Sequence, residues 1–342
     1  MRRGFLDLLA CPACGASLAL ASVDEEAGDG HVIGGKLVCA SAGHTFPVAG
    51  GVARLLPGAA ERSAARDQTA QRFGYAWKRF ADFDPGQERT SMATWFSPHA
   101  LADLAGTTVL DAGCGMGRHA VLAVQHGARR VVGLDLGDAV DAAFANTRHL
   151  SEVCIVQGDI YHPPLRPAVF DAAYALGVLH HLPDPARGFA RLVPAIRADG
   201  WFQVWLYGRE GNGWILLLVN PIRRLSARLP LGPLRMLCAG LGVPVFLFAR
   251  LARSAPWLAA RMTYGEYLRW LGGFGFRKVY AIVFDHALAP VAHYLSRVEV
   301  EDLVANAGWR IAGLEHSRRM SWGVDARPPA RGTPEELSGG RA

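Results

Sequence analysis

Lysine is almost missing from this 342-residue chain: Lys36, Lys78 and Lys278 are the only ones, against 33 arginines. Arginine richness is therefore a chain-wide bias and does not by itself point to nucleic acid. Cysteine is scarce, six in all and unevenly spaced, which excludes a disulfide scaffold and suits a reducing cytoplasm. A secretory leader is not expected, because the apolar stretch Phe5–Ala10 is broken by Asp7 and runs into Cys11-Pro12. There is no internal repeat and little low-complexity sequence, and half of the residues are apolar, so a full-sized buried core is expected. Acid is nearly absent from one region. Residues 209–261 hold eight arginines and one acid, Glu210, a local charge of +7 against +6 for the whole chain. That region is also the most hydrophobic. Its longest uncharged run, Met236–Ala249, has fourteen residues with Pro244 inside it, short of the ~20 that a membrane span needs.

What is present is organised around Val109–Arg118, an apolar run that ends in Asp111 and continues through Gly113, Gly115 and Gly117. That order reads as a buried strand, a tight turn and a helix opening at Arg118. Glycine suits such a turn because it tolerates positive φ and lets backbone N–H groups approach a ligand. Four more strand-and-helix units follow. The strands are expected at Arg130–Asp135, Val153–Gln157, Phe170–Ala175 and Trp201–Tyr207. Apolar strands alternating with helices imply a parallel sheet covered on both faces. Asp111, Asp135 and Asp159 then fall at the carboxyl ends of strands, where such sheets bind ligands. Each acid also precedes a helix, so helix capping is the alternative for each.

Before this core, Cys11-Pro12-Ala13-Cys14-Gly15 forms a metal knuckle, with Cys39 and His44 the nearby residues able to complete a set. Three thiolates and one imidazole suit a closed, structural zinc site. The fifty residues around it resemble the short zinc-ribbon modules that act as methyltransferase activator subunits, and the metal-binding N-termini of certain rRNA guanine methyltransferases. The resemblance implies docking to another protein or to a substrate.

A dinucleotide fingerprint would place a glycine at position 118, where Arg118 stands. The spacing instead resembles the S-adenosylmethionine turn of class I methyltransferases, and the resemblance extends from residue 108 to about 207. It implies a Rossmann-like, seven-stranded, mostly parallel sheet. It also implies that Asp111, Gly113, Gly115 and Gly117 admit the methionine part of S-adenosylmethionine. Asp135 with Leu136 would hold the ribose, Asp159 with Ile160 the adenine, and Leu176 would run beneath the sulfonium. No Asn/Asp-Pro-Pro-Tyr/Phe motif follows the fourth strand, and no cysteine stands where carbon-5 pyrimidine chemistry would need a thiol. Both absences disfavour those forms of base methylation.

The chain therefore divides into a zinc-ribbon-like module at 1–57, linker and lid helices at 58–107 and the cofactor-binding core at 108–207. A largely helical, arginine-rich insertion follows at 208–295 as a substrate cap. The core is completed at 296–325, and a disordered tail follows at 326–342. The insertion could form a roof, sit against a membrane surface through 208–261, or enclose an apolar acceptor. One of His180, His181, Asp285, His286, His293 and Tyr294 is the candidate base, with His181 and His286 preferred, since an oxygen acceptor needs a proton acceptor with a pKa near neutrality. The expected activity is cytoplasmic, cofactor-dependent O-methylation of a small or amphipathic acceptor such as a lipid, quinone, polyketide or sugar. A tRNA or rRNA base methyltransferase and a non-catalytic cofactor-binding protein are the alternatives. Nucleic acid is the less favoured partner.

Overall fold

A computed structural model describes residues 1–58, 64–80, 83–213, 215–219, 223, 226, 228–262 and 264–329. Residues 59–63 of the expected linker, Trp214, and all but the first four residues of the expected tail at 326–342 lie outside these residues; Ala326 and Arg327, expected in that tail, instead end the last strand.

Four short strands come first: β1 (Leu18–Glu26), β2 (Val32–Cys39), β3 (Thr45–Ala49) and β4 (Val52–Leu55). The core strands are β5 (Thr108–Ala112), β6 (Arg130–Asp135), β7 (Val153–Gly158), β8 (Phe170–Leu176) and β9 (Ile196–Tyr207), followed by β10 (Arg310–Ser317) and β11 (Ser321–Arg327). Runs such as Val131-Val132-Gly133-Leu134 are buried on both faces, which is why they lack polar alternation. The core strands lie in the order β7-β6-β5-β8-β9-β11-β10. Only the last hairpin is antiparallel, with β11 paired to β9. The order reverses between β5 and β8, and the crevice for a ligand opens there.

The sheet is larger than expected. β4 pairs parallel with β7, Ala53 opposite Val156 and Leu55 opposite Gly158, so the N-terminal strands extend it to eleven. Nor does the N-terminal module have a core of its own. Leu9, Leu37 and Leu55 share one apolar cluster with Leu134, Val156 and Phe189. Arg54 bridges the seam to Gln157 and Asp141, and Arg130 pairs with Asp7.

Helices α1 (Ala64–Arg79) and α2 (Pro85–Phe96) precede the core. The second was not anticipated, although Asp84-Pro85 is a readable start: the Asp84 carboxylate accepts from the Gly86 amide at 2.8 Å, and Pro85 occupies a position that needs no donor. The core helices are α3 (Arg118–Gln125), α4 (Ala139–Thr147) and α5 (Pro185–Leu192). The insertion contributes α6 (Leu231–Ser254), α7 (Pro256–Ala259), α8 (Gly265–Leu271) and α9 (Phe276–Leu288) before α10 (Arg297–Ala305) returns to the sheet. α10 opens with a capping box between Ser296 and Glu299.

One expectation about length changes. Pro244 does not end its helix, and α6 runs 24 residues, long and apolar enough to cross a membrane. It instead packs one stripe, which includes Leu234, Cys238 and Ala249, against α8 and α9.

Candidate active site

A cavity of about 580 Å³ opens at the carboxyl ends of β5, β6 and β8. Its floor is the glycine turn. Gly113 and Gly115 adopt φ of 85° and 53°, a region that costs a residue with a Cβ. At Gly113 a Cβ would also fall 2.3 Å from Val178. The protein's own packing therefore demands glycine there, in addition to any ligand.

Asp135 is on the cavity wall. Its carboxylate accepts from the amides of Gly115 at 2.9 Å and Gly137 at 2.8 Å. Burial raises its pKa, and those two amides partly oppose the rise. A carboxylate has about four acceptor positions, so capacity remains toward the cavity, as a vicinal diol requires. Asp159 is also on the wall. It accepts from the Tyr161 amide at 2.9 Å and forms a buried ion pair with Arg66 of α1. Arg66 thus shares the acid expected to take the adenine amine. Leu136, Ile160 and Leu176 also line the cavity.

Asp111 and Gly117 do not line it. Asp111 is buried behind the turn, with one oxygen unpartnered and its pKa pushed up to about 8 by burial. Gly117 is the N-cap of α3 and packs against Thr147 and Ala143 of α4. Neither Asp111 nor Asp135 is the N-cap residue of the helix that follows, those positions being Gly117 and Asp138, but the Ala120 amide in the first turn of α3 does stabilise the Asp111 carboxylate.

The roof comes from α1, α2 and the insertion. Trp77 lies over the turn, its indole nitrogen 3.2 Å from where a Gly115 Cβ would stand. The Arg118 guanidinium stacks on Trp77 at 4.7 Å. Glu88, almost fully buried, faces Arg118 at 3.5 Å and pairs with Lys278 of α9. Burial pushes the Glu88 carboxyl up, but the two cations outweigh it and hold its pKa below the usual value. Trp77 lies on a helix whose aromatic stripe the sequence already suggests as a cover for the glycine turn, whereas Glu88 and Lys278 carried no such signal, because the two are 190 positions apart.

At the far end the wall becomes aromatic and polar. Trp95 meets Trp205 at 5.3 Å, and Tyr207 stacks on His180, His286 and Tyr294. The two preferred bases, His181 and His286, both reach this wall. His181 donates from Nδ1 to the Val291 carbonyl at 2.9 Å, which leaves its Nε2 lone pair available. Burial lowers His181 to about 3 and His286 to about 4, so both are neutral and poor bases at neutral pH. Beside them is Asp285, half-buried on the cavity wall, with one oxygen shielded from solvent and unpartnered. Burial raises Asp285 to about 6, against the pull of Arg118, Arg223 and Lys278. A group with that pKa is suited to accept a proton near neutrality.

The N-terminal knuckles assemble as expected. The ligand atoms of Cys11, Cys14, Cys39 and His44 all lie within 4.8 Å of one another. Cys14 Sγ is 3.3 Å from Cys39 Sγ, and Cys11 Sγ is 3.4 Å from His44 Nδ1. Those separations are close to the edges of a tetrahedron with metal bonds of about 2.0–2.3 Å. The set fits structural zinc.

Residues 110–204 match the methyltransferase domain family, and residues 2–51 match the Trm112p-like protein family. The chain thus carries a class I methyltransferase domain fused to a Trm112p-like module, within a single sheet. A tRNA U34 carboxymethyltransferase of Methylococcus capsulatus is 34% identical over 104 residues, 30% of this chain and 32% of that protein. The Shewanella amazonensis protein of the same name is 27% identical over 183 residues, 47% and 53% of the two chains. The chain thus spans from about a third to just over half of these relatives' length. Among solved structures, a complex of the Haloferax volcanii Trm112 methyltransferase activator with a methyltransferase is similar at 15% identity, with a TM-score of 0.44 over 75% of this chain and 98% of that one.

Proposed function

We propose that this protein is an S-adenosylmethionine-dependent methyltransferase whose acceptor enters the cavity beneath α1, α2 and α9. The observation that carries this reading is the convergence of Asp135, Asp159 and the glycine turn on one side of the cavity with Asp285 and an aromatic wall on the other. When bound, S-adenosylmethionine supplies an electrophilic methyl group. The chain's own residues would hold the ribose through Asp135, exclude water with Trp77 and Trp205, and clasp a flat acceptor among aromatic rings. Asp285 would take the acceptor's proton, with the His181 Nε2 lone pair able to orient it.

For the acceptor itself, the names of the relatives favour a tRNA nucleoside over the small amphipathic molecule expected from the sequence. An extruded base stacked between aromatic side chains suits such a wall, and the five arginine and lysine side chains of the cavity lining suit phosphate. A cytoplasmic location goes with that reading. The similarity runs over the cofactor-binding core, however, and the apolar insertion keeps a lipid-like acceptor as the second reading. Radiolabelled methyl transfer into cell extract, separated into tRNA, lipid and small polar pools, decides between them. Label in tRNA supports the first, label in lipid replaces it with the second, and label in neither of those pools contradicts both.

A further inference from the structure

We propose that the outer face of α6, with Trp257 of α7, docks on a bilayer surface carrying anionic headgroups. This goes beyond the methyl-transfer reading and does not depend on it. The exposed positions of α6 recur at helical spacing, and from 236 to 248 all are apolar: Met236, Leu237, Leu241, Val243, Leu247 and Phe248 stand among them. Met236 is 74% exposed, Leu247 60% and Phe248 58%. At 100° per residue these side chains fill one continuous arc. Arg235, Arg250 and Arg253 fall along a single edge of it, between the apolar arc and the buried stripe that rests on α9. Monomeric proteins rarely leave so continuous an apolar surface uncovered without a use.

The charge identifies the occupant. Residues 211–265 contain seven arginines and no acid. A second copy of this chain packed face to face would bring arginines together with no carboxylate from that stretch to neutralise them. An anionic headgroup layer supplies the missing charge while the acyl region takes the apolar arc, the arrangement of an interfacial amphipathic helix. Trp257, 66% exposed and beneath the Arg261 guanidinium at 5.9 Å, is of the residue type that settles at headgroup depth. The helix lies along the surface and does not cross it, because Leu234, Cys238, Gly242, Ala249 and Ala252 are held against the protein. The same α9 that supports α6 carries Lys278 and Asp285 on the cavity wall, so the docking face is one helix away from the site.

The test is co-sedimentation of the full-length protein with phosphatidylcholine vesicles, with and without phosphatidylglycerol. The wild type should pellet with the anionic vesicles and lose that binding in high salt. The double variant Leu247→Glu/Phe248→Glu should bind about tenfold less or weaker still, and Arg250→Glu/Arg253→Glu should lose the preference for anionic lipid. Both pairs are exposed, so circular dichroism and cofactor binding should match the wild type. Wild-type protein that stays in the supernatant overturns the proposal, as does a Leu247→Glu/Phe248→Glu variant that pellets normally. Light scattering that shows a wild-type dimer abolished by the same variant, without vesicle binding, assigns the face to self-association instead.

Discussion

Replacing Asp135 by alanine removes the carboxylate that the Gly115 and Gly137 amides hold in the cavity wall. If that carboxylate accepts both ribose hydroxyls, two charge-assisted hydrogen bonds are lost, each worth about 1.5–3 kcal/mol. The sum, roughly 3–6 kcal/mol, corresponds to a weakening of S-adenosylmethionine binding by about 10² to 10⁴. Part of the loss would come from the freed Gly115 amide, because the turn could relax. The conservative variant Asp135→Asn keeps one acceptor oxygen and should fall between wild type and alanine. Isothermal titration of S-adenosylmethionine and of its demethylated product measures the effect, with thermal melting as the folding control. A dissociation constant within threefold of wild type for a folded Asp135→Ala protein would refute the assignment of the diol site.

Three further outcomes follow from the same geometry. Asp111 is buried with its folded pKa raised to about 8, so between that value and its unfolded pKa near 3.9 the native state holds a proton that the unfolded chain has released. Stability therefore falls as pH rises through that window, and Asp111→Asn should stabilise the protein by a few kcal/mol at pH 7 and progressively less toward pH 5; equal melting shifts at both pH values would count against it. Stripping zinc with a chelator, or replacing Cys14 by serine, should lower one cooperative melting transition of the whole protein, because Leu37 and Leu55 share a core with Val156 and Phe189; a separate early transition for the N-terminal strands would be contrary to that. With Asp285 raised to about 6 as the base, the turnover rate should fall as pH drops below about 6, and that acid limb should be missing in Asp285→Asn.

How much of this could be read from the chain varies with the range of the interactions. The five parallel strands were legible because each is a short apolar run closed by a turn, and Asp135 and Asp159 were legible because they follow those runs directly. The zinc ligands were legible as two knuckles. The eleven-stranded sheet was not, because the pairing of Ala53 with Val156 depends on contacts a hundred residues apart and leaves no local periodicity. Asp111 was misjudged for a related reason: its place beside the glycines suggested the ligand, but alternation along β5 turns its side chain behind the turn. The Glu88–Lys278 pair is a product of packing between a lid helix and the insertion, whereas the Trp77 cover was legible as an aromatic stripe at helical spacing just ahead of the core. Asp285 carried a local hint, an acid in an apolar helix next to His286, whereas its raised pKa depends on burial that only the folded cap provides.

The most direct measurement is methyl transfer from labelled S-adenosylmethionine into total cell extract, run in parallel with wild-type protein and Asp285→Asn. Wild type should label one acceptor pool, and the variant should bind the cofactor equally well yet transfer 10²-fold or more slowly, as expected when a general base is removed. Wild-type protein that binds S-adenosylmethionine and labels nothing, or a variant that labels as fast as wild type, would contradict the account of this cavity as the catalytic site.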